Sequence, residues 1–357
     1  MRETEFTFVI EMLRQDDGTS LGQFRVDVDW EPARELLRLI GLRRCEPEAG
    51  ANSGGITIEP VWAESDGEPH AIGARLSDGD LSCEVVLDYF KSLAVDLSSA
   101  LVGKKLLKDG ELFRFKLFAY RQEAGSQPGG FQFTVRNATP PVRFVDSSLE
   151  ELRNQSVPSG EAENGDVPVF IPQSVLDEVE TLTLEAGSLE TGGILIGQLH
   201  RDAGVPEIAV VITAQIPAHF TESKTTSLTF TAETWTAVQA ALDLRKSGEM
   251  MLGWWHSHPS FAFCNAECPP ERRRVCALQK PFLSSPDLHL HRAVFAKAFH
   301  VALLANNADA GLGFALFGWC GGAIQRRGFH ILGGTDEPEF SNATSTEEHA
   351  HATPCKN

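Results

Sequence analysis

The second half of the chain alternates between apolar runs and amphipathic segments. The apolar runs are short and are bounded by polar or turn-forming residues, which is typical of buried strands. They fall at 167–171, 192–200, 207–217, 228–231, 250–255, 300–305, 313–319 and 323–331. Between them, apolar spacing and helix-start signals predict helices at 172–185, 232–247 and 287–297. Residues 167–332 are therefore predicted to form an α/β domain, with a mixed sheet flanked by helices.

The first part of the chain, residues 1–145, is predicted to form a separate α+β domain. Apolar runs at 6–13 and 23–30 flank a hairpin signal at 16–18, and a helix is predicted at 32–41. Further strands are predicted at 56–62, 71–76, 112–120 and 131–136. This part of the sequence shows no catalytic constellation, so we expect it to be a recognition or assembly module.

An acidic, polar segment separates the two predicted domains. Residues 146–166 carry six carboxylates against one base, Arg153. This composition favours a disordered linker, with a short helix at 149–153 as the alternative. Residues 333–357 are also polar and are predicted to be a disordered tail, so the histidine pair at 349–351 is interpreted as part of that tail.

Composition and charge narrow the class of protein. The chain is 42% hydrophobic and 22% charged, as soluble globular proteins are. Its net charge of −18 disfavours nucleic acid and anionic membranes as partners, and no apolar run approaches membrane-spanning length. The N-terminus lacks the basic and apolar regions of a signal peptide, and seven cysteines are few for a disulfide scaffold, so we expect a cytoplasmic protein. Cys45 and Cys83 are expected to be buried bystanders rather than nucleophiles.

The candidate chemistry lies at the end of the strand predicted at 250–255. His256 and His258 follow this strand, and side chains at positions i and i+2 of a strand point to the same side. Two imidazoles that converge on one point suit a metal ion, zinc first. One carboxylate, Glu190, opens a glycine-rich apolar strand, and another, Asp287, lies in the first turn of a helix. The alternatives are histidines bonded to backbone or water and an aspartate that merely complements the helix dipole.

Taken together, these residues suit a catalytic zinc site. Two histidines and one aspartate are three ligands, and a catalytic zinc keeps a fourth position for a water molecule. The metal lowers the pKa of that water toward about 7. A nearby glutamate can then take the proton of the water and pass it to a leaving amine.

The set Glu190, His256-Ser257-His258-Pro259 and Ser284-Ser285-Pro286-Asp287 resembles the motif of the JAMM (MPN+) zinc metalloproteases. The residues around it are most similar to those of the AMSH-type deubiquitinases, and a bacterial member is expected. The resemblance covers roughly 165–332 and implies a cytidine-deaminase-like layering of sheet and helices. It also implies that His256, His258 and Asp287 bind zinc, that Glu190 is the general base and acid, and that Ser284 stabilises the oxyanion.

The segment 260–283, of 24 residues, is longer than the corresponding loop of the family and must fold back if Asp287 is to reach the metal. It contains cysteines at short spacing, which in a reducing compartment favour structural zinc over a disulfide. AMSH-type enzymes carry such a second zinc, whereas reduced, buried cysteines are the alternative. The candidate ligands of a second zinc are Cys264, Cys268, Cys276 and Cys320, with His289, His291 or His330.

The expected function is a zinc-dependent hydrolase that cleaves a peptide or isopeptide bond. The resemblance implies a ubiquitin-like protein or its conjugates as substrate, E1- and E2-like proteins as further partners, and a role for polar groups at 220–227 in holding the substrate tail. Two alternatives stay open: a hydrolase of a sulfur-carrier-like protein or a small amide, and a non-catalytic MPN scaffold. A nucleobase deaminase fits worse, because its zinc site needs His-x-Glu and Pro-Cys-x-x-Cys.

Overall fold

The structure is a computed structural model in which the chain divides into two compact units. The first is Met1–Pro141 with Gly321–Ala323, and the second is Val142–Cys320 with Ile324–Asn357. The residues that the structure describes are 5–44, 55–62, 68–76, 80–108, 110–121, 142–162, 165–202, 204–218, 221–224, 227–263, 269 and 276–333.

The first unit is an α+β fold with two antiparallel sheets of three strands each. The strands are β1 (Phe6–Arg14), β2 (Ser20–Val26), β3 (Ile56–Trp62), β4 (Pro69–Leu76), β5 (Ser82–Val86) and β6 (Phe113–Arg121). The sheet orders are β2-β1-β6 and β3-β4-β5. The helices are α1 (Glu31–Arg43), a short 3-10 helix (Leu87–Phe90) and α2 (Lys91–Gly103). Both sheets and both α-helices contribute to one apolar core, in which Ile10, Leu37, Ile72 and Ala94 are completely buried.

The second unit is built on one large mixed sheet. Its strands are β7 (Phe144–Asp146), β8 (Ser156–Ser159), β9 (Val169–Pro172), β10 (Gly192–Arg201), β11 (Ile208–Pro217), β14 (Met250–His258), β15 (Val301–Ala308), β16 (Gly311–Cys320), β17 (Ala323–Arg327) and β18 (Phe329–Leu332). A separate hairpin consists of β12 (Thr221–Lys224) and β13 (Ser227–Phe230). The helices are α3 (Leu149–Asn154), α4 (Gln173–Ala186), α5 (Ala232–Arg245) and α6 (Ser285–Val294).

The order of the large sheet is β17-β16-β15-β14-β10-β11-β9-β18-β8, and β7 pairs with the end of β10. The β14–β15, β11–β9 and β18–β9 pairs are parallel, and β10 is antiparallel to both β11 and β14. The predicted fold class, an α/β domain preceded by an α+β domain, is confirmed. None of the helices described in the structure is long and apolar enough to cross a membrane.

The segment 146–166, predicted to be an acidic linker, belongs instead to the second unit. It contributes the end of β7, helix α3 and strand β8 to this unit, and α3 confirms the alternative of a short helix at 149–153. Leu149 is buried with Phe170 and Val211, and its N–H donates to Asp202 Oδ2 at 3.0 Å. The charged residues lie on the solvent side of α3, so an acidic composition concealed a short apolar stripe that the sheet buries.

Other sequence predictions differ from the structure in detail. Strand β5 and helix α2 were not predicted, and the range 220–227, expected to be a polar loop, contains strand β12 and the first residue of β13. The strand predicted at 131–136, Cys45 and all but the first residue of the tail at 333–357 lie outside the described residues. Cys83 lies in β5, and burial raises its pKa to about 12, which agrees with an inert thiol.

Strand β14 lies near the centre of the large sheet, and a glycine allows it to pack closely against its neighbour β15. A Cβ atom at Gly253 would lie 2.1 Å from the carbonyl oxygen of Val301 on the neighbouring strand β15. The strand is buried from Leu252 to its end, and Trp254 packs on one face in a core with Ile194 and Phe295. This core face is the one that continues into His256 and His258, since alternate side chains share a side.

Candidate metal centre

Strand β14 ends with two buried histidine rings that face each other. His256 and His258 are 0% and 2% exposed, and their Nε2 atoms lie 3.1 Å apart. The register pairs His256 with Leu304 and His258 with Asn306 of β15. Pairing with this parallel neighbour therefore fixes the position of both histidines along the strand direction. Burial lowers the pKa of His258, which keeps this imidazole neutral and able to act as a ligand near neutral pH.

Asp287 reaches the two rings from the first turn of α6. Its Oδ2 atom lies 3.5 Å from His256 Nε2 and 3.7 Å from His258 Nε2. A capping box with Ser284 orients the carboxylate, because Asp287 Oδ2 accepts from the Ser284 N–H at 2.7 Å and from its Oγ–H at 2.6 Å. Burial alone would raise the pKa of Asp287, but the charge of His256, the nearby His258 ring and the hydrogen bond from Ser284 outweigh it and lower the pKa.

Glu190 also approaches His258, from a position just before β10. It is 4% exposed, and its Oε1 atom lies 3.9 Å from His258 Nε2. Two hydrogen bonds fix the adjacent backbone: Thr191 N–H donates to Ser257 Oγ at 3.0 Å, and Ser257 N–H donates to Thr191 O at 2.8 Å. Burial first, and then the charge of Asp287, raise the pKa of Glu190 to about 8. The structure thus places a perturbed carboxyl group beside the histidine pair.

The side chains that meet at this point suit a zinc ion. Among the described residues, His256, His258 and Asp287 form the one group of three metal-ligating side chains whose ligand atoms all lie within 4.8 Å of one another. Two imidazole nitrogens and a carboxylate oxygen are a donor set that catalytic zinc uses. The Nδ1 atoms of both histidines are buried and have no hydrogen-bond partner among these residues. Within the described part of the chain, no hydrogen bond at Nδ1 therefore turns either ring away from the orientation in which its Nε2 atom faces the shared point.

The long segment 260–283 returns to its starting point, which is why Asp287 reaches the site. A closed set of hydrogen bonds, here called the polar clamp, joins Ser260, Gln279 and Asn306. Ser260 Oγ donates to Asn306 Oδ1 at 2.6 Å, Asn306 Nδ2 donates to Gln279 O at 2.9 Å, and Gln279 Nε2 donates to Ser260 O at 2.5 Å. The clamp ties both ends of the segment to Asn306 near the end of β15, which is the register partner of His258.

The structure gives the second zinc site less support. Cys264 and Cys268 lie outside the described residues; Cys276 is buried, and Cys320 ends β16. In the described part of the chain, neither of the latter two joins a group of three metal-ligating side chains. The histidines predicted as further ligands have other contacts, which are His289 Nδ1 with Ser285 O, His291 Nδ1 with Trp254 Nε1, and His330 Nδ1 with Ser156 Oγ.

Several residues around the centre were not identified from the sequence. Trp254 stacks on His256 and is bonded to His291, while Phe263 and Phe282 pack around His258 with ring centroids at 5.6 and 4.9 Å. Two signals were available: Trp254 precedes His256 by two strand positions, and His291 follows Asp287 by one helical turn. No sequence pattern marks the clamp, because its members are far apart along the chain.

Comparison with known proteins defines the class of the second unit. The model of the JAB1/Mov34/MPN/PAD-1 ubiquitin protease family matches residues 168–275. The chain therefore carries a domain of this family, the MPN/JAMM family that the motif predicts. The matched range includes Glu190, His256 and His258 and ends inside the long segment, so the structure supplies the evidence for Asp287.

The other comparisons add little to this assignment. The chain is similar to the solution structure of protein DSY2949 from Desulfitobacterium hafniense, at 17% identity over 47% of this chain and 95% of that chain, with a TM-score of 0.29. No curated protein matches the chain.

Proposed function

We propose that this protein is a zinc-dependent hydrolase that cleaves a peptide or isopeptide bond at the C-terminus of a ubiquitin-like protein. The observation that supports it best is the convergence of His256, His258 and Asp287 on one point, with Glu190 beside them. MPN domains commonly act on ubiquitin-like proteins, and the family includes metalloisopeptidases and non-catalytic members. A scaffold has no need of a complete, buried ligand set, so this set favours an enzyme.

The proposed mechanism assigns the proton transfers to Glu190. When bound by the three ligands, zinc supplies the acidity that lets water ionise near neutral pH, and it polarises the scissile carbonyl. Glu190 accepts the proton of the attacking water and then donates it to the leaving amine. Its pKa is raised to about 8 by burial and by Asp287, and a nearby cation would lower it toward the range of a general base.

Ser284 has two roles in the proposal. Its Oγ atom caps α6 and holds the Asp287 carboxylate at 2.6 Å, which orients a ligand. Because the hydroxyl lies 2.6 Å from Asp287 Oδ2, a candidate ligand atom, we also propose that it stabilises the oxyanion that forms during attack on the carbonyl.

The partners and location are proposed on the same basis. We infer a ubiquitin-like protein or its conjugates as substrate, E1- and E2-like proteins as further partners, and a cytoplasmic location. The net charge of −18 disfavours nucleic acid and anionic membranes. A second zinc held by the cysteines at 264, 268, 276 and 320 stays part of the proposal and would be detected as a second equivalent of metal.

The test is cleavage of a panel of ubiquitin-like fusions and isopeptide conjugates, assayed after chelation and again after zinc is restored. We expect cleavage by the wild-type protein, loss on chelation, and recovery with zinc. Glu190→Gln should bind zinc without cleaving, whereas His258→Ala should lose both properties. A zinc-loaded wild-type protein that cleaves none of these substrates, but does release an amino acid from a carrier protein or small amide, would favour the alternative hydrolase. Inactivity on all of them would favour a scaffold.

A further inference from the structure

The ring of His256 is held by a stacked tryptophan. The Trp254 and His256 rings have their centroids 4.6 Å apart and an interplanar angle of 13°. Both side chains project from the same face of β14, two residues apart, and both are buried. The orientation of the His256 ring therefore depends on where the indole lies, because rotation of the imidazole about its Cβ–Cγ bond would break the parallel stack.

The indole is fixed in turn by a hydrogen bond to a buried histidine of α6. Trp254 Nε1–H donates to His291 Nδ1 at 3.1 Å, and His291 is 0% exposed. The bond requires an unprotonated Nδ1, and burial lowers the pKa of His291 to about 3, so the ring is neutral at physiological pH. Phe295 and Trp319 pack against the same imidazole, with centroids at 6.0 and 5.6 Å.

We propose that Trp254 and His291 are positioning residues that hold the His256 imidazole in its metal-binding orientation. The inference rests on the zinc site of the proposed function. It assigns a second task to α6, since Asp287 and His291 lie four residues apart and share one face of this helix. The helix thus supplies one ligand directly and fixes another through the indole.

The unsatisfied atoms of the site support this assignment. A metal-binding histidine usually donates its second N–H to a carboxylate, a carbonyl or water, which fixes the ring. His256 Nδ1 is buried and has no such partner among the described residues, so the stack with Trp254 takes the place of that bond. His291 Nε2 is also buried without a partner there, a cost that a leucine would avoid. An imidazole at this position is explained by the need of the indole N–H for an acceptor.

The experiment measures the zinc dissociation constant of the full chain by competition with a chromophoric chelator, together with the visible absorption spectrum of the cobalt-substituted protein. We expect His291→Leu and Trp254→Phe each to raise the dissociation constant about tenfold, the lower end of the range for groups that orient metal ligands. Each should also change the cobalt bands, which report ligand geometry. The double variant should bind zinc at least as tightly as the single variant with the lower affinity, because both changes remove the same hydrogen bond.

Two further variants separate positioning from packing. His291→Gln keeps an acceptor for the indole N–H and should restore both zinc affinity and the wild-type cobalt spectrum. His300→Leu is the matched control: His300 lies in the same core against Phe295, and its Nδ1 accepts from the backbone N–H of Lys297 instead. This control should lower stability and leave zinc affinity unchanged.

The outcomes distinguish this inference from the proposed function. Folded His291→Leu and Trp254→Phe proteins with wild-type zinc affinity and cobalt spectra would overturn the positioning role and leave the zinc site intact. An equal loss of affinity in His300→Leu would also overturn it, since packing alone would then explain the effect. A wild-type protein that binds neither zinc nor cobalt would overturn the zinc site itself, and the inference with it.

Discussion

Two buried polar clusters lie side by side at the ends of β14 and β15, and they differ in how their atoms are satisfied. In the polar clamp, Ser260, Gln279 and Asn306 close a ring of three hydrogen bonds. In the metal centre, the His256 and His258 Nε2 atoms face each other at 3.1 Å, and both Nδ1 atoms lack partners in the described part of the chain.

The difference separates a structural cluster from a candidate functional one. A buried polar network whose groups are all paired stabilises one conformation, whereas convergent, unpaired groups cost stability until something binds them. The clamp explains how the long segment returns to the sheet. The return of the segment brings Asp287 to the histidine pair of the candidate metal centre.

The largest expected effect is a loss of cleavage rate that leaves the fold of the candidate metal centre intact. Glu190→Gln should lower the cleavage rate by about 10²–10⁴-fold, the usual contribution of a general acid–base group, and retain zinc. The folded-state pKa of Glu190, about 8, lies above its ordinary value of 4.5. In the metal-free protein this group therefore lowers the stability of the folded state as pH rises between these values. Denaturant unfolding of the metal-free variant at pH 8 should therefore show equal or greater stability, and a clear loss would contradict the comparison.

Zinc should stabilise the second unit by an amount comparable with its total stability. At free zinc about 1,000 times the dissociation constant, the free energy of unfolding should rise by about 4 kcal/mol, because the ion binds the folded state. Thermal or denaturant unfolding with and without zinc measures this change. His256→Ala should abolish it, while Ser260→Ala, in the clamp, should retain it; stabilisation that persists in His256→Ala would place the zinc elsewhere.

Breaking the clamp should cost stability directly. Asn306→Leu leaves the Ser260 hydroxyl and the Gln279 carbonyl without their Asn306 partner, at a cost of about 2–3 kcal/mol in the free energy of unfolding. Asn307→Leu is the matched control, since this neighbour is less buried, and a change within about 0.5 kcal/mol is expected there. Equal effects from the two substitutions would show that the clamp is not a specific support.

The effect that is smallest at neutral pH is a pH dependence that belongs to the histidine core and not to the clamp. Burial is the main cause that lowers the pKa of His300 to about 3, against an ordinary value of 6.5. Its contribution is complete above pH 6.5 and is lost as pH falls toward 3, by up to about 1.4 kcal/mol per pH unit. A plot of the free energy of unfolding against pH, between pH 7 and 3.5, should be less steep for His300→Gln than for the wild-type protein. Asn306→Leu should lower the whole curve without changing its slope, since no clamp side chain ionises.

Local patterns were sufficient where a site residue's position depends on its own element. The period of a strand places His256 and His258 on one side, and the Ser284-Ser285-Pro286-Asp287 signal predicts a helix whose capping box orients Asp287. Local patterns misled where an element depends on what it packs against. The acidic segment 146–166 has too little apolar surface to predict a fold, yet the sheet buries Leu149 and orders α3.

The sequence by itself determined the types of the candidate ligands, their spacing along β14 and α6, and the α/β character of the second unit, because these follow from the periods of single elements. The tertiary structure decided that these side chains meet, that the segment 260–283 is tied back by residues distant along the chain, and that His291 accepts a hydrogen bond from Trp254, which stacks on His256. These contacts join residues that no local period relates. They depend on the order of strands in the sheet and on burial, which lowers the pKa of His258 and raises that of Glu190.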